Sequence, residues 1–407
     1  MGESVMHRIF LVVLFFVFYP GLTTVFSLDL KNAVIVTSPD ASVTVGKASQ
    51  TLVEEILKRT QARLRTSTEW RTDQGSAILL GTTGEVEMLA GDLAGQLDAA
   101  PDGDEGFRVQ VVGSTVIIAG NSDRGVMFGA GYLLRHLRMR YGKIVEVDGD
   151  LRVSTAPKQP VRGHELGFRP KVNSYDGFTV SMWEQYIRDL AVFGTNAIEL
   201  IPPRSDDADD SPHFPLTQIE MMEEVSRIAD EYALDVWIWY PALDEDYSDP
   251  ATVEFAINEW AEVFRRLPRI DHVYVPAGDP GETPPRYLMA LLEKQAKSLN
   301  RYHPHAKMWV GAEGLTKESM EELYGILARE PDWLGGVVHG AWVRDSIPEL
   351  RKRLPERYPL RRYPDITHSL HSQYFVPDWD LAFLVTEGRE VCNPRPLDHT
   401  DIFRTYQ

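Results

Sequence analysis

The sequence predicts an α/β chain in two parts: an N-terminal α+β domain, then a (β/α)8-type barrel that stops short of its eighth strand. Three observations predict it. From Val161 onward, short apolar runs bounded by turn residues alternate with helical patterns, strand then helix, without reversal. Pro157 and Pro160 break the pattern just before that series. Ahead of them, two β-branched runs meet at a two-residue link containing glycine, which is hairpin chemistry.

The chain opens with His7 and Arg8, an apolar run from Ile9 to Tyr19, then Pro20, Gly21 and small residues up to Ser27. The run is shorter than the about 20 apolar residues a bilayer span needs. Residues 1–27 therefore read as an export signal, with Val25 and Ser27 as small residues before a cut. An uncleaved anchor is the alternative. Export makes the protein secreted or periplasmic, with no stable membrane span expected after cleavage. Cys392 is the single cysteine, so no intramolecular disulfide is available and the fold rests on its apolar core. With 43% hydrophobic and 25% charged residues over 407 positions, the composition is that of an ordinary globular protein. The net charge of −18, with no concentrated basic stretch, argues against a nucleic-acid partner.

The first domain spans residues 28–156. Asn32 to Ser38 and Ala77 to Gly81 read as buried strands. Between them Leu52, Ile56 and Leu57, with Val53 and Leu64 beside them, recur at helical spacing. Phe107 to Val112 and Thr115 to Ala119 form the hairpin across Gly113-Ser114. A helix follows from about Asp123. It carries Gly125, Gly129 and Gly131 on one side of an apolar stripe, although each glycine costs nearly 1 kcal/mol relative to alanine. Close packing on a sheet explains that cost better than phosphate binding, because the glycines lie inside the helical pattern and not in a loop before it.

The second domain spans residues 157–407. Its strands are 161–169, 196–203, 234–241, Val273 to Val275, 306–314, 335–342 and a weaker 360–369 interrupted by Pro364. Helices between them have start signals: Ser181 with Glu184, Thr217 with Glu220, Asp249 before Pro250, Thr316, and Ser346 with Glu349. Repeated right-handed βαβ units lead to a closed parallel barrel. After Ser369 the chain is rich in Pro, Asp and aromatics, with Leu381 to Val385 as the further apolar run, so the barrel reads as truncated before strand 8.

In such barrels the chemistry sits at the C-terminal strand ends. The fourth strand ends in A-G-D-P-G-E-T-P-P, placing Asp279 and Glu282 on a constrained turn. Asp279 is the expected general acid, because desolvation in that turn would raise its pKa. Glu313 and Asp365, at the ends of the fifth and seventh strands, are the expected base or nucleophile. His164, Glu165, Arg169, Arg204, Tyr240, Trp309, His339, Trp342 and His368 are the expected substrate-binding residues. Acids with aromatics on one rim suit a sugar: aromatic faces cover its apolar faces and two carboxylates share acid and base work across a glycosidic bond. Each acid alone is equally a helix cap or a solvated loop residue. Glu199, inside the second strand, reads as a paired buried acid. His339 and His368 lack the close spacing of metal ligands, so no metal is expected.

An α/β domain ending in D-R-G-V-M-F-G-A-G-Y-L-L and followed by a barrel opening R-G-H-E-L-G-F-R resembles the arrangement of the family 67 α-glucuronidases and family 20 β-hexosaminidases. The first domain is then similar to the α/β domain that precedes the barrel in hexosaminidases. The stretch from G-D-P-G-E-T-P-P to P-D-I-T-H-S resembles secreted bacterial proteins of the same superfamily. The resemblance runs from Leu28 to about Pro396. It implies hydrolysis of glycosidic bonds in a carbohydrate, without a cofactor, with an acid after the fourth strand, at Asp279 or Glu282. Family 67 uses glutamate there and family 20 an adjacent Asp-Glu pair, and this turn has neither arrangement. Arg169, Arg204 or Arg344 would suit a uronate carboxylate. A non-catalytic or vestigial glycan-binding protein is the alternative, and a metal-dependent hydrolase is a third reading.

Overall fold

The computed structural model describes residues 27–362, apart from 72–74, 167–176, 206–213, 279, 280, 282, 341 and 342. The N-terminal part runs β1 (Ser27–Asp29), β2 (Val34–Val36), α1 (Val43–Thr60), β3 (Arg65–Ser67), β4 (Ala77–Thr82), α2 (Thr83–Ala90), β5 (Phe107–Val112), β6 (Thr115–Gly120), α3 (Asp123–His136), β7 (Arg138–Arg140), β8 (Ile144–Asp148) and β9 (Arg152–Thr155). A mixed sheet in the order β3-β2-β4-β6-β5-β9 forms its centre, and a three-stranded sheet β1-β8-β7 lies beside it. The hairpin expected at Gly113-Ser114 is present, with Val112 opposite Thr115. Sequence reading passed over β1, β3, β7, β8, β9 and α2. Those strands have three to five residues, too few for a period of two to stand out. β1 begins at Ser27, paired with Asp148, so a cut after Ser27 removes one residue of that strand.

The glycines of α3 are explained by close approach. A Cβ on Gly129 would stand 2.6 Å from Ile118 of β6, and one on Gly131 would stand 2.6 Å from the backbone oxygen of Val192. The helix lies flat on the sheet on one side and against the next helix on the other.

The second part alternates strictly: β10 (Gly163–Glu165), α4 (Val180–Val192), β11 (Ala197–Leu200), α5 (Gln218–Glu231), β12 (Asp235–Trp239), α6 (Pro250–Arg266), β13 (His272–Val275), α7 (Pro285–Tyr302), β14 (Lys307–Gly311), α8 (Lys317–Leu327), β15 (Leu334–His339), α9 (Ile347–Arg353) and β16 (Leu360–Arg362). The seven strands form one parallel sheet in chain order, curled into a half-barrel. Among the described residues no eighth strand joins β16 to β10. Four of the start signals act as expected: Thr217 with Glu220 and Ser346 with Glu349 form capping boxes, while Asp249 and Thr316 accept from backbone amides of the first turn. The first does not. Thr179 caps α4 by accepting from the Met182 amide, so the helix starts earlier and Ser181 lies inside its first turn.

Strand alternation sorts the side chains into two layers. Ile198, Val236, Ile238, Val273, Val275, Met308 and Val310 point outward and join the helices in one large apolar cluster. Ala197, Ile201, Trp237, Trp239, Tyr274, Trp309 and Val338 point inward and form a separate cluster inside the curl.

Candidate active site

The inward positions also carry the polar groups. On β11 the residue between Ala197 and Ile201 that faces inward is Glu199, 1% exposed. Its Oε2 accepts a hydrogen bond from Arg361 Nη1 of β16 at 2.6 Å, across the interior of the barrel. The Arg361 guanidinium lies 4.2 Å from the centre of the Trp237 ring, so the cation is covered by an aromatic face as well as paired. Glu199 is the paired buried acid the sequence suggested. The hydrophilic strand L-R-R gave Arg361 no special standing, and only its inward register identifies it.

At the C-terminal end of β14, two residues past Gly311 and therefore on the same face, stands Glu313, 4% exposed. Its Oε1 accepts a 2.6 Å hydrogen bond from the Tyr274 hydroxyl of β13. Its Oε2 has no hydrogen-bond partner among the described residues. Burial pushes the Glu313 carboxyl up to about 7, against the opposing pull of the Tyr274 hydroxyl, the backbone amides of Glu313 and Gly340, and the Arg361 charge. The space it fills exists because two neighbours have no side chain. A Cβ on Gly311 would stand 1.8 Å from Oε2, and one on Gly340 would stand 2.2 Å from Oε1. Burial also pushes the Tyr274 phenol well up, which keeps it a hydrogen-bond donor.

The remaining expected residues fall in several places. Trp309 faces inward and donates from Nε1 to His272 Nδ1 at 3.0 Å. Glu165 is in register with Glu199 on the neighbouring strand. Tyr240 lies one position past β12 on the outward side, its ring stacked 3.9 Å from Trp260 between the sheet and α6. His164 also faces outward, with Nε2 2.8 Å from the Tyr186 hydroxyl of α4, and burial lowers its pKa to about 4. Both are turned away from the interior by the same alternation that turns their neighbours towards it. Arg204, in the segment after β11, bonds Asp244 in the segment after β12 at 2.6 Å and Glu259 of α6 at 3.0 Å. Arg344 donates from Nε to the Leu315 carbonyl at 2.8 Å. His339 ends β15, half-buried and outward. Asp279, Glu282, Asp365, Arg169, Trp342 and His368 lie outside the described residues.

The arrangement brings together a carboxyl that holds or releases a proton near neutral pH, a buried ion pair and a wall of indoles. Tyr274 was missed by sequence reading. Its place in the middle of the run H-V-Y-V, where an inward polar tip needs a partner, was the signal available.

No family model matches the sequence. The chain is 24% identical over 294 residues to α-glucuronidase A of Emericella nidulans; the match covers 63% of this chain, and the chain spans about a third, 32%, of that relative's length. The family 20 β-N-acetylhexosaminidase of Streptomyces coelicolor A3(2) superposes with a TM-score of 0.57 at 14% identity, over 83% of this chain and 72% of that one. The β-hexosaminidase of Streptomyces plicatus, solved as a mutant with its product GlcNAc, gives 0.54 at 14% identity, over 77% and 71% of the two chains. The superpositions show that this chain shares the fold of these β-hexosaminidases.

Proposed function

We propose that the protein is a secreted hydrolase of glycosidic bonds, with Glu313 as the proton-carrying carboxyl of its site. One observation carries the reading: a carboxyl at the C-terminal end of a barrel strand, enclosed by Gly311, Gly340 and Tyr274, titrating near pH 7 with one oxygen unclaimed. A group half-protonated near neutrality suits proton donation to a leaving oxygen, the role the sequence alone assigned to Asp279. The turn after β13 then contributes the second carboxylate, from Asp279 or Glu282, since β13 and β14 are neighbours in the sheet. Trp239 and Trp309 line the interior beside this carboxyl and give the site an apolar wall. The substrate is a glycoside of glucuronic acid or of an N-acetylhexosamine, on the likeness to the α-glucuronidase and the hexosaminidases. The run of residues 9–19 supports export.

A panel of aryl glycosides, including α-glucuronide and β-N-acetylhexosaminide, tests this by release of the aryl alcohol. Release is expected from at least one member. Glu313→Gln is expected to lower kcat by about 10²- to 10⁴-fold, the usual contribution of an acid or base, with the circular dichroism spectrum unchanged. Full activity in Glu313→Gln, or no release from any member, contradicts the proposal. The tight enclosure of Glu313 favours one second reading, a glycan-binding protein without turnover. Saturable glycan binding without release from the panel distinguishes it.

A further inference from the structure

The two oxygens of the Glu313 carboxyl have different surroundings. Oε1 lies against Gly340, where a Cβ would stand 2.2 Å away, and accepts the 2.6 Å hydrogen bond from the Tyr274 hydroxyl. Oε2 lies against Gly311, where a Cβ would stand 1.8 Å away, and has no hydrogen-bond partner among the described residues. Tyr274 is 0% exposed, and its phenol, pushed well up by burial, keeps its hydrogen throughout the range in which Glu313 titrates. A protonated carboxyl has one O–H donor and one carbonyl acceptor. With the proton on Oε1, the phenolic hydrogen has to give up its bond. With the proton on Oε2, the bond stays.

We propose that Tyr274 is the positioning residue of Glu313: its hydroxyl keeps Oε1 as the carbonyl oxygen and so assigns the transferable proton to Oε2. The inference rests on Glu313 being the acid of a glycosidase, and it names the oxygen that gives the proton. In donation the Oε2–H bond breaks and its electron pair stays on the carboxylate. The proton joins the glycosidic oxygen, which leaves as an alcohol with the electron pair of its bond to the anomeric carbon, and water takes its place there. Tyr274 then donates to a charged oxygen, which is a stronger bond, so it helps draw the proton off as well as placing it. Arg361 of β16 and Glu199 of β11 also face Tyr274, and Arg361 acts on Glu313.

Infrared difference spectra of the full chain, below and above the Glu313 midpoint, read the C=O stretch of the protonated carboxyl, with Glu313→Gln to assign it. In the wild type the band is expected below that of a monomeric aliphatic acid in an apolar solvent, because Oε1 accepts a hydrogen bond. Tyr274→Phe keeps the ring and is expected to move the band to higher wavenumber, with the far-ultraviolet circular dichroism unchanged. Carboxyl-carbon NMR of the same variant is expected to place the midpoint about one pH unit higher, since a bond that favours the charged form is gone. With a glycoside that the wild type turns over, the alkaline limb of kcat moves up with that midpoint, and kcat falls about tenfold while KM stays within about twofold. A phenol that only satisfies its own hydroxyl would leave the limb where it was. A wild-type band at the position of the free acid overturns the proposal without any variant having to fold. So does a band or a midpoint that Tyr274→Phe leaves in place. Both spectra responding as expected in a protein that releases no aryl alcohol supports the oxygen assignment and contradicts the hydrolase reading instead.

Discussion

Glu313 is buried at a site where its charged form is poorly solvated, and that has a consequence for stability. Its folded pKa of about 7 stands above the ordinary 4.5 of an exposed glutamate, so the unfolded chain releases this proton first as pH rises. The contribution of the protonated group is complete below about pH 4.5 and is lost as pH climbs through 7. Urea unfolding of the wild type between pH 5 and 8 should show a loss on the order of a few kcal/mol that Glu313→Gln does not show. A parallel pH dependence in the two proteins contradicts the assignment. The Glu199–Arg361 pair behaves differently. Arg361→Leu leaves a buried carboxylate without its cation and should cost about 3–5 kcal/mol, whereas Glu199→Leu with Arg361→Leu should recover most of that loss. If the double variant is as unstable as the single one, the pair is not the reason. At this scale the sequence was only partly informative. Glu199 could be read as paired because a charge inside an apolar strand demands a partner. Its partner lies 162 positions away, at a distance no local pattern encodes.

Elements were the most legible level, since apolar period and cap chemistry are local signals. The strands of the second part and most helix starts could be read directly, and Thr217 shows why: its hydroxyl accepts from the Glu220 amide while Glu220 reaches back to the Thr217 amide. Thr217→Ala should therefore cost about 1 kcal/mol. The start of α4 was misread because Ser181 and Glu184 have the right spacing, yet Thr179 wins the cap by offering its oxygen to Met182. Ser181→Ala should leave stability nearly unchanged while Thr179→Ala lowers it by about 1 kcal/mol, and the opposite ranking in thermal melts contradicts this cap. In α3, Gly131→Ala gains helix propensity but drives a methyl against the Val192 backbone, which cannot rotate away. A net loss of about 1–3 kcal/mol is expected, and a gain means α3 and α4 separate easily.

For the whole molecule, the two parts share one apolar cluster and a set of buried ion pairs, neither of which sequence reading detected. Arg188 of α4 bonds Glu55 of α1 at 3.1 Å, both 4% exposed, and also the Tyr232 hydroxyl at 2.9 Å. Burial alone raises the Glu55 carboxyl, but Arg59, Lys58, Arg188 and Gln185 together hold it down at about 2. Because this pKa is depressed, its contribution is present above about 4.5 and is lost as pH falls towards 2. Arg162 and Asn196 clasp Glu105 in the same manner, so the N-terminal part and the barrel should unfold together. Coincident melting by far-ultraviolet circular dichroism and tryptophan fluorescence is expected, since eight of the nine tryptophans lie beyond position 180. Two separated transitions contradict the shared core. The barrel itself was legible as a count of strands. Its direction of facing was not, which is why Tyr240 and His164 were read as rim residues while their side chains lie on the outer surface of the sheet. The chemistry of the site turns above all on the proton of Glu313. Carboxyl-carbon NMR with labelled glutamate, using Glu313→Gln to assign the resonance, measures it directly: a midpoint near pH 7 is the expected result, and titration at the ordinary 4.5 contradicts the site described here.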